Sequence, residues 1–288
     1  MLLEYFTLVR FHQWHKNFSV FLVLFLNQES ITEDNIFTTF LAMFAFICAS
    51  SFVYMVNDFF DQEYDRAHPV KRNRPLAAGS VSLHAAGIIA SLALFLAFYL
   101  SLLVNLPAFY SILLYLVINL FYSSFGKRIP FLDVFLLAIG FMLRILCGAY
   151  AIEATISHWF VIIITQFCFL FGFSKRYIEL ISYTDPIKSR PVLAYYSKTA
   201  LKRIVLGVGM SIILVYTLYT FSDRCIQTFQ TTDLPYTIPF VFLGVWRFFY
   251  QVYYRKIGED PASLLLQDKL LAGILTLWAL SFTLIIHL

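Results

Sequence analysis

Asn57, Asp58, Asp61 and Asp65 set one neutral oxygen donor and three carboxylates close together in a chain that is 60% hydrophobic and only 13% charged. A carboxylate near the hydrocarbon of a bilayer costs about 3 kcal/mol or more, so such a set marks a functional site by default. On an α-helix each residue advances about 100°, which puts positions 58, 61 and 65 on one stripe. Three carboxylates on a stripe repel one another unless a cation sits among them. Mg2+ suits that place, because it takes a few carboxylates and fills its shell with water and substrate phosphates. The alternative is a solvated acidic helix end. A basic tract follows at once, with Arg66, His68, Lys71, Arg72 and Arg74 ahead of Pro75 and Gly79. Arg and Lys hold phosphate oxygens by charge-assisted hydrogen bonds, and Pro and Gly point to a defined loop. Acidic ligands abutting a cationic loop fit a metal–diphosphate complex.

Other polar groups recur at the ends of apolar runs. Tyr122, Lys127, Arg128 and Asp133 offer a phenol, a cation pair and an acid, although Asp133 also suits a helix N-terminus on dipole grounds. Lys175, Arg176 and Glu179 lead on to Arg190, and Lys175 and Glu179 have the spacing of a simple surface pair. Gln13, Trp14, His15, Lys16 and Asn17 read either as an interfacial anchor or as a Lys16 facing a phosphate. Arg144 lies inside an apolar run, where it should face the bundle interior and meet either an acid or an anionic ligand. Gly258, Glu259, Asp260 and Pro261, with Asp268, read as a solvated acidic loop. Nucleophile elbow, Walker loop, HExxH and Ser-His-Asp patterns are all missing from the sequence. What remains is metal–phosphate chemistry beside lipid.

The elements that must position these groups are membrane helices. Apolar runs long enough to cross a bilayer fall near 18–33, 37–57, 84–104, 108–124, 132–152, 157–173, 204–221, 235–254 and 270–287. Nine transmembrane helices predict an all-α, polytopic membrane bundle, and residues 1–288 read as a single integral-membrane domain with no soluble domain left over. All but three of the 21 Lys and Arg fall at the N-terminus or in the loops after the second, fourth, sixth and eighth runs. The exceptions are Arg144, Arg224 and Arg247. The positive-inside rule places that rich side in the cytoplasm, with the N-terminus inside and the C-terminus outside. The formal charge of +4 is therefore a sidedness signal and not a sign of nucleic-acid binding. Cys48, Cys147, Cys168 and Cys225 have no metal or redox spacing. The stretch from Arg10 to Lys16 is too polar for a cleavable signal peptide.

The Asn57-Asp58-x-x-Asp61-x-x-x-Asp65 motif on the second of nine helices resembles the first Asp-rich motif of the UbiA superfamily of membrane prenyltransferases. The resemblance covers essentially the whole chain and implies a UbiA-like fold, with Mg2+ bridging the aspartates to a diphosphate. Most members transfer a prenyl chain to an aromatic acceptor and carry a second DxxxD-type motif between the sixth and seventh helices. Here that segment reads Ser174-Lys175-Arg176-Tyr177-Ile178-Glu179-Leu180 instead. Together with the basic tract, the Gln13-Trp14-x-Lys16-Asn17 start and the Tyr122 to Asp133 stretch, it resembles the decaprenyl-phosphate phosphoribosyltransferase subgroup.

That resemblance implies transfer of 5-phosphoribose from phosphoribosyl diphosphate to a polyprenyl phosphate, on the cytoplasmic side of a bacterial inner membrane. In bacteria the subgroup supplies precursors of cell-envelope polysaccharides. Asp58, Asp61 and Asp65 would hold Mg2+ with the diphosphate, and Asn57 would orient or ligate it. Lys71, Arg72 and Arg74 would take donor phosphates. Lys16, Tyr122, Lys127, Asp133, Arg144, Lys175, Arg176 and Glu179 complete the substrate-binding set. A homo-oligomer is admitted. The main alternative is a UbiA-type enzyme moving a polyprenyl group from its diphosphate to an aromatic acceptor, against which the missing second acidic motif counts. A transporter would cluster its ligand groups at the bilayer midplane, not at one face.

Overall fold

Thr32, Ser82, Asn105, Ser197 and Ser222 each precede a helix, and the side-chain oxygen of each accepts the backbone N–H three residues on. These caps satisfy amide groups that the helix start leaves without partners, and they divide long apolar stretches into discrete helices. The computed structural model describes residues 2–27, 30–67, 71–182, 190–257, 264 and 267–287. Every regular element among them is helical. The fold is an all-α membrane bundle, the solution lipid requires when backbone groups must pair internally. Seven helices among the described residues are long and apolar enough to span a bilayer. The predicted count of nine is therefore approximate, and two of the runs form shorter helices. Around the first run the chain forms an 11-residue 3-10 helix, Phe11–Phe21, and then only a five-residue α-helix, Leu22–Leu26, which ends at polar Asn27. The eighth forms 13 residues of α-helix, Ile238–Tyr250, between a 3-10 turn that carries Pro235 and a π-helical turn, with Pro239 in its first turn.

The chain folds as two compact units, one of residues 1–126 with 139–155 and one of 127–138 with 156–288. The first contains α1 (Leu2–Leu8), the 3-10 helix, α2 (Leu22–Leu26), α3 (Glu33–Phe60), α4 (Gln62–Ala67), a 3-10 turn Lys71–Asn73 and α5 (Pro75–Ala78). It continues with α6 (Leu83–Val104), α7 (Leu106–Ser124) and the later part of α8 (Leu132–Ala151). Helix α3 is its axis and packs on α6 and α7. Ala42, Ala45 and Ala49 are fully buried on one stripe of α3, and small residues at such spacing let membrane helices approach closely. Ile88, Leu92, Phe95 and Leu102 of α6 stay exposed, as lipid-facing side chains should. Asn105 alone joins α6 to α7, ending one helix and capping the next. In α8, a Cβ at position 148 would lie 1.8 Å from the Val20 carbonyl oxygen, so only Gly148 permits this approach to the 3-10 helix.

The second unit holds the start of α8, α9 (His158–Ser182), a 3-10 turn Pro191–Tyr195, α10 (Lys198–Thr220) and α11 (Asp223–Phe229). It ends with a 3-10 turn Leu234–Thr237, α12 (Ile238–Tyr250), a π-helical turn Gln251–Arg255 and α13 (Lys269–His287). Leu170, Ile178, Leu201, Val205, Ile212, Val245 and Phe248 form one core of α9, α10 and α12. Asp268 departs from its expected solvated setting. It is buried, accepts Arg247 Nε at 2.8 Å and Nη2 at 3.2 Å, and caps α13 through the Leu270 and Leu271 amides. Its carboxyl sits below the usual Asp range: burial alone would raise it, and the bonds from Arg247, Gln251 and Leu271 outweigh that. Gly258 to Pro261 lie outside the described residues.

Candidate active site

Helix α3 has 28 residues, a length of about 42 Å against a hydrocarbon core of about 30 Å. It is therefore longer than the core is thick, and Asn57 and Asp58 lie in its last turn. Asp61 then ends the helix with φ −93° and ψ 5°, and α4 starts at Gln62. The expected single acidic stripe is corrected accordingly: Asp58 lies on α3, Asp65 on α4 and Asp61 at the joint. Backbone bonds still link them, Asp61 N donating to Asn57 O at 2.9 Å and Asp65 N to Asp61 O at 2.8 Å.

The basic tract folds back over this joint. Pro75 opens α5, Gly79 closes it in the left-handed region at φ 73°, and two α4 side chains grip its backbone. Gln62 Nε2 donates to Leu76 O at 2.7 Å and Arg66 Nε to Ala77 O at 3.2 Å. This brings Arg74 to the acids. Its Nη1 bridges Asp58 Oδ1 at 3.1 Å and Asp65 Oδ2 at 2.7 Å, and both carboxylates are 3% exposed. Arg10 Nη2 meets the same Asp58 Oδ1 at 2.5 Å. Arg72 is exposed and Asp61 half-buried. His68, Pro69 and the Lys71 side chain lie outside the described residues.

Among the described residues no three His, Cys, Asp or Glu side chains converge as a ready-made metal cluster. The charges of Asp58 and Asp65 are met by guanidinium groups. The donor set nevertheless fits Mg2+, being composed of hard oxygens only. Asn57 Oδ1, next to Asp58 in the chain, is sealed from solvent and accepts no hydrogen bond. A buried acceptor left without a donor is costly, and a cation is one group that would satisfy it.

Deeper in the same unit, Arg144 faces the interior as expected, but its counterparts are neutral. Nε donates to Asn17 Oδ1 at 3.0 Å, Nη1 to Gly140 O at 2.7 Å and Nη2 to Tyr115 Oη at 2.8 Å. Its guanidinium also lies 4.6 Å from the Tyr115 ring centroid. No acid pairs with it among the described residues. Lys16 and Tyr122 are half-buried in this unit.

The second unit has its own polar centre. Arg176 and Asp133 are wholly buried and paired, Nε to Oδ2 at 2.6 Å. Arg176 Nη1 also pairs with Glu179, which Arg190 Nη1 approaches at 3.3 Å. Buried carboxylates are thus met by guanidinium groups, as removal from water requires. Tyr196 Oη donates to Asp133 Oδ1 at 2.7 Å and accepts the Phe131 N–H at 2.6 Å. Burial, with Asp133 beside it, pushes the Tyr196 phenol up, so it stays protonated and able to donate. Lys127 and Lys175 are half-buried nearby in sequence. Arg10, Tyr115 and Tyr196 escaped the sequence reading. Arg10 is 48 residues from Asp58 and Tyr196 63 from Asp133, and no local spacing announces either pair.

Residues 17–270 match the UbiA prenyltransferase family. The chain belongs to that family. The UbiA-family chain is 29% identical to decaprenyl-phosphate phosphoribosyltransferase of Mycolicibacterium smegmatis, across 94% of this chain and 88% of that protein. It is 27% identical to the Corynebacterium glutamicum protein of the same name, across 96% and 84%. A solved UbiA homolog from Archaeoglobus fulgidus, bound to GPP and Mg2+, superposes with a TM-score of 0.72 at 17% identity, covering 99% of this chain and all of that one. This UbiA-family protein is thus a membrane transferase.

Proposed function

We propose that this transferase moves 5-phosphoribose from phosphoribosyl diphosphate to a polyprenyl phosphate in a bacterial plasma membrane. Asp58 and Asp65, with Asp61 at the joint and Asn57 Oδ1 beside them, hold the donor's diphosphate through Mg2+. Bound there, Mg2+ offsets the charge that builds on the departing diphosphate. Arg74 and Arg72, with Lys71, take donor phosphate oxygens. A polyprenyl-phosphate oxygen forms a bond to ribose C1 as the C1–O bond to diphosphate breaks, through an oxocarbenium-like transition state. That phosphate is ionised near neutral pH, so the protein need not supply a strong base. Lys16, Tyr122, Lys127 and Lys175 serve the ribose phosphate or lipid phosphate. Asp133, Arg176 and Glu179 fix the start of α8, next to Lys127, and the turn of α9 that carries Lys175. Arg144 orients Asn17, next to Lys16.

The observation that carries this reading is Arg74 bridging Asp58 and Asp65. The bridge puts a phosphate-binding guanidinium on the carboxylates that would hold the metal. The names of the bacterial relatives support the choice of substrates. The test mixes purified protein, Mg2+ and radiolabelled phosphoribosyl diphosphate with polyprenyl phosphate, and in parallel prenyl diphosphate with an aromatic acid. Ribose label extracted with lipid is expected. Product only in the second mixture would transfer the assignment to an aromatic prenyltransferase.

A further inference from the structure

Arg10 is held in place by more than its carboxylate. The Val9 carbonyl accepts Ser51 Oγ at 3.0 Å and Trp14 Nε1 at 3.3 Å, and Trp14 Nε1 also reaches Ser51 Oγ at 3.3 Å. These bonds fasten the N-terminal turn to α3, two helical turns before Asp58. Arg10 itself adopts φ 52° and ψ 50°, a left-handed conformation that non-glycine residues seldom take. Gln13 N closes the turn on Arg10 O at 2.8 Å. The guanidinium lies 4.7 Å from the Tyr54 ring centroid, one turn before Asp58, and 2.5 Å from Asp58 Oδ1. A strained backbone persists where its surroundings over-determine it, and such positions concentrate at working sites.

We propose that Arg10 is a resident counter-cation of Asp58 that makes metal and diphosphate bind as one unit; this rests on the metal–diphosphate reading above. Asp58 Oδ1 already accepts two guanidinium donors, from Arg10 and Arg74. A divalent cation approaching that oxygen alone must displace one of them and meets two positive charges. A diphosphate alone meets the carboxylates. Arriving together, the diphosphate takes the guanidinium forks in the bidentate manner Arg favours, and the carboxylates pass to the cation. Tyr54 gives the Arg10 guanidinium a second contact throughout the exchange. Each ligand therefore raises the affinity for the other by the same factor.

Binding of Mn2+ to the full-length protein in detergent, followed by electron paramagnetic resonance with and without inorganic diphosphate, tests this. Asp58→Asn serves as the blank for diphosphate-bound ion. In the natural protein diphosphate should raise Mn2+ affinity roughly tenfold or more, the scale of ordinary site coupling. Arg10→Gln should bind Mn2+ alone more tightly and lose most of that enhancement. Arg10→Lys, which keeps the charge without the fork, should fall between them and serves as the second variant if Gln impairs folding. Enhancement undiminished in both variants would overturn the role of Arg10 and leave the metal–diphosphate reading standing. Mn2+ binding that with diphosphate is no greater in the natural protein than in Asp58→Asn would overturn both.

Discussion

Asp58 and Arg176 have similar surroundings, buried carboxylates meeting guanidinium groups, yet they call for different experiments. Around Asp58 the cations are partly exposed and can be exchanged for a metal, so substitution should touch turnover first. Asp58→Asn and Asp65→Asn should each lower phosphoribosyl transfer by about a hundredfold or more with the thermal midpoint in detergent little changed, the loss expected when one electrostatic group of a transition-state site is removed. Near-normal turnover in a well-folded Asp65→Asn protein would remove that residue from the site. Arg176, Asp133 and Glu179 are themselves all buried. Arg176→Met leaves Asp133 and Glu179 without that partner, at a stability cost of about 3–5 kcal/mol, read as a lowered unfolding midpoint. Adding Glu179→Gln should recover part of the loss. Tyr196 carries a pH signature. Its phenol is raised above the usual 10.0, so its contribution is complete below that value and fades as pH rises beyond it. The midpoint difference between the natural protein and Tyr196→Phe should narrow above pH 10; a constant difference would show that the phenolic proton is not the stabilising element.

At the scale of elements, turns decide whether the side chains arrive. Gly79 ends α5 in a conformation that a Cβ disfavours. Gly79→Ala should cost about 1 kcal/mol locally and weaken diphosphate binding by misplacing Arg74, although position 79 touches no ligand. An unchanged diphosphate affinity would mean that Arg74 is positioned without this turn. Gly148 works by contact instead of torsion, since any Cβ there meets the Val20 carbonyl. The Asn105 joint and the Pro75–Gly79 turn are legible in sequence, because capping and turn chemistry act over three or four residues. The break at Asp61 was not legible. The acids 58, 61 and 65 fit a continuous helix by spacing alone, and the interruption of that helix is a tertiary outcome.

For the whole molecule, charge distribution makes a testable statement about sidedness. The polar centres of both units sit at chain segments rich in Lys and Arg, which the positive-inside rule assigns to the cytoplasm. Single cysteines at Arg128 and Thr232, both exposed, should report opposite sides. A membrane-impermeant maleimide applied to intact cells should label Thr232→Cys and spare Arg128→Cys. The reverse pattern would invert the topology and place donor binding outside the cell. The class of fold was legible at this scale because lipid leaves the backbone few choices and apolar run length is a local property.

By itself the sequence determined the membrane class, the helical runs and the acidic and basic stretches. All of these follow from composition and short-range spacing. Only the tertiary structure decided the partners: Arg10 and Arg74 on Asp58, Asn17 on Arg144 across 127 positions, and Tyr196 on Asp133. The physical reason is that the sequence offers many cations of nearly equal standing. Charge alone does not choose among them, and the choice falls to whichever guanidinium the packing within each unit brings within a hydrogen bond of a buried oxygen.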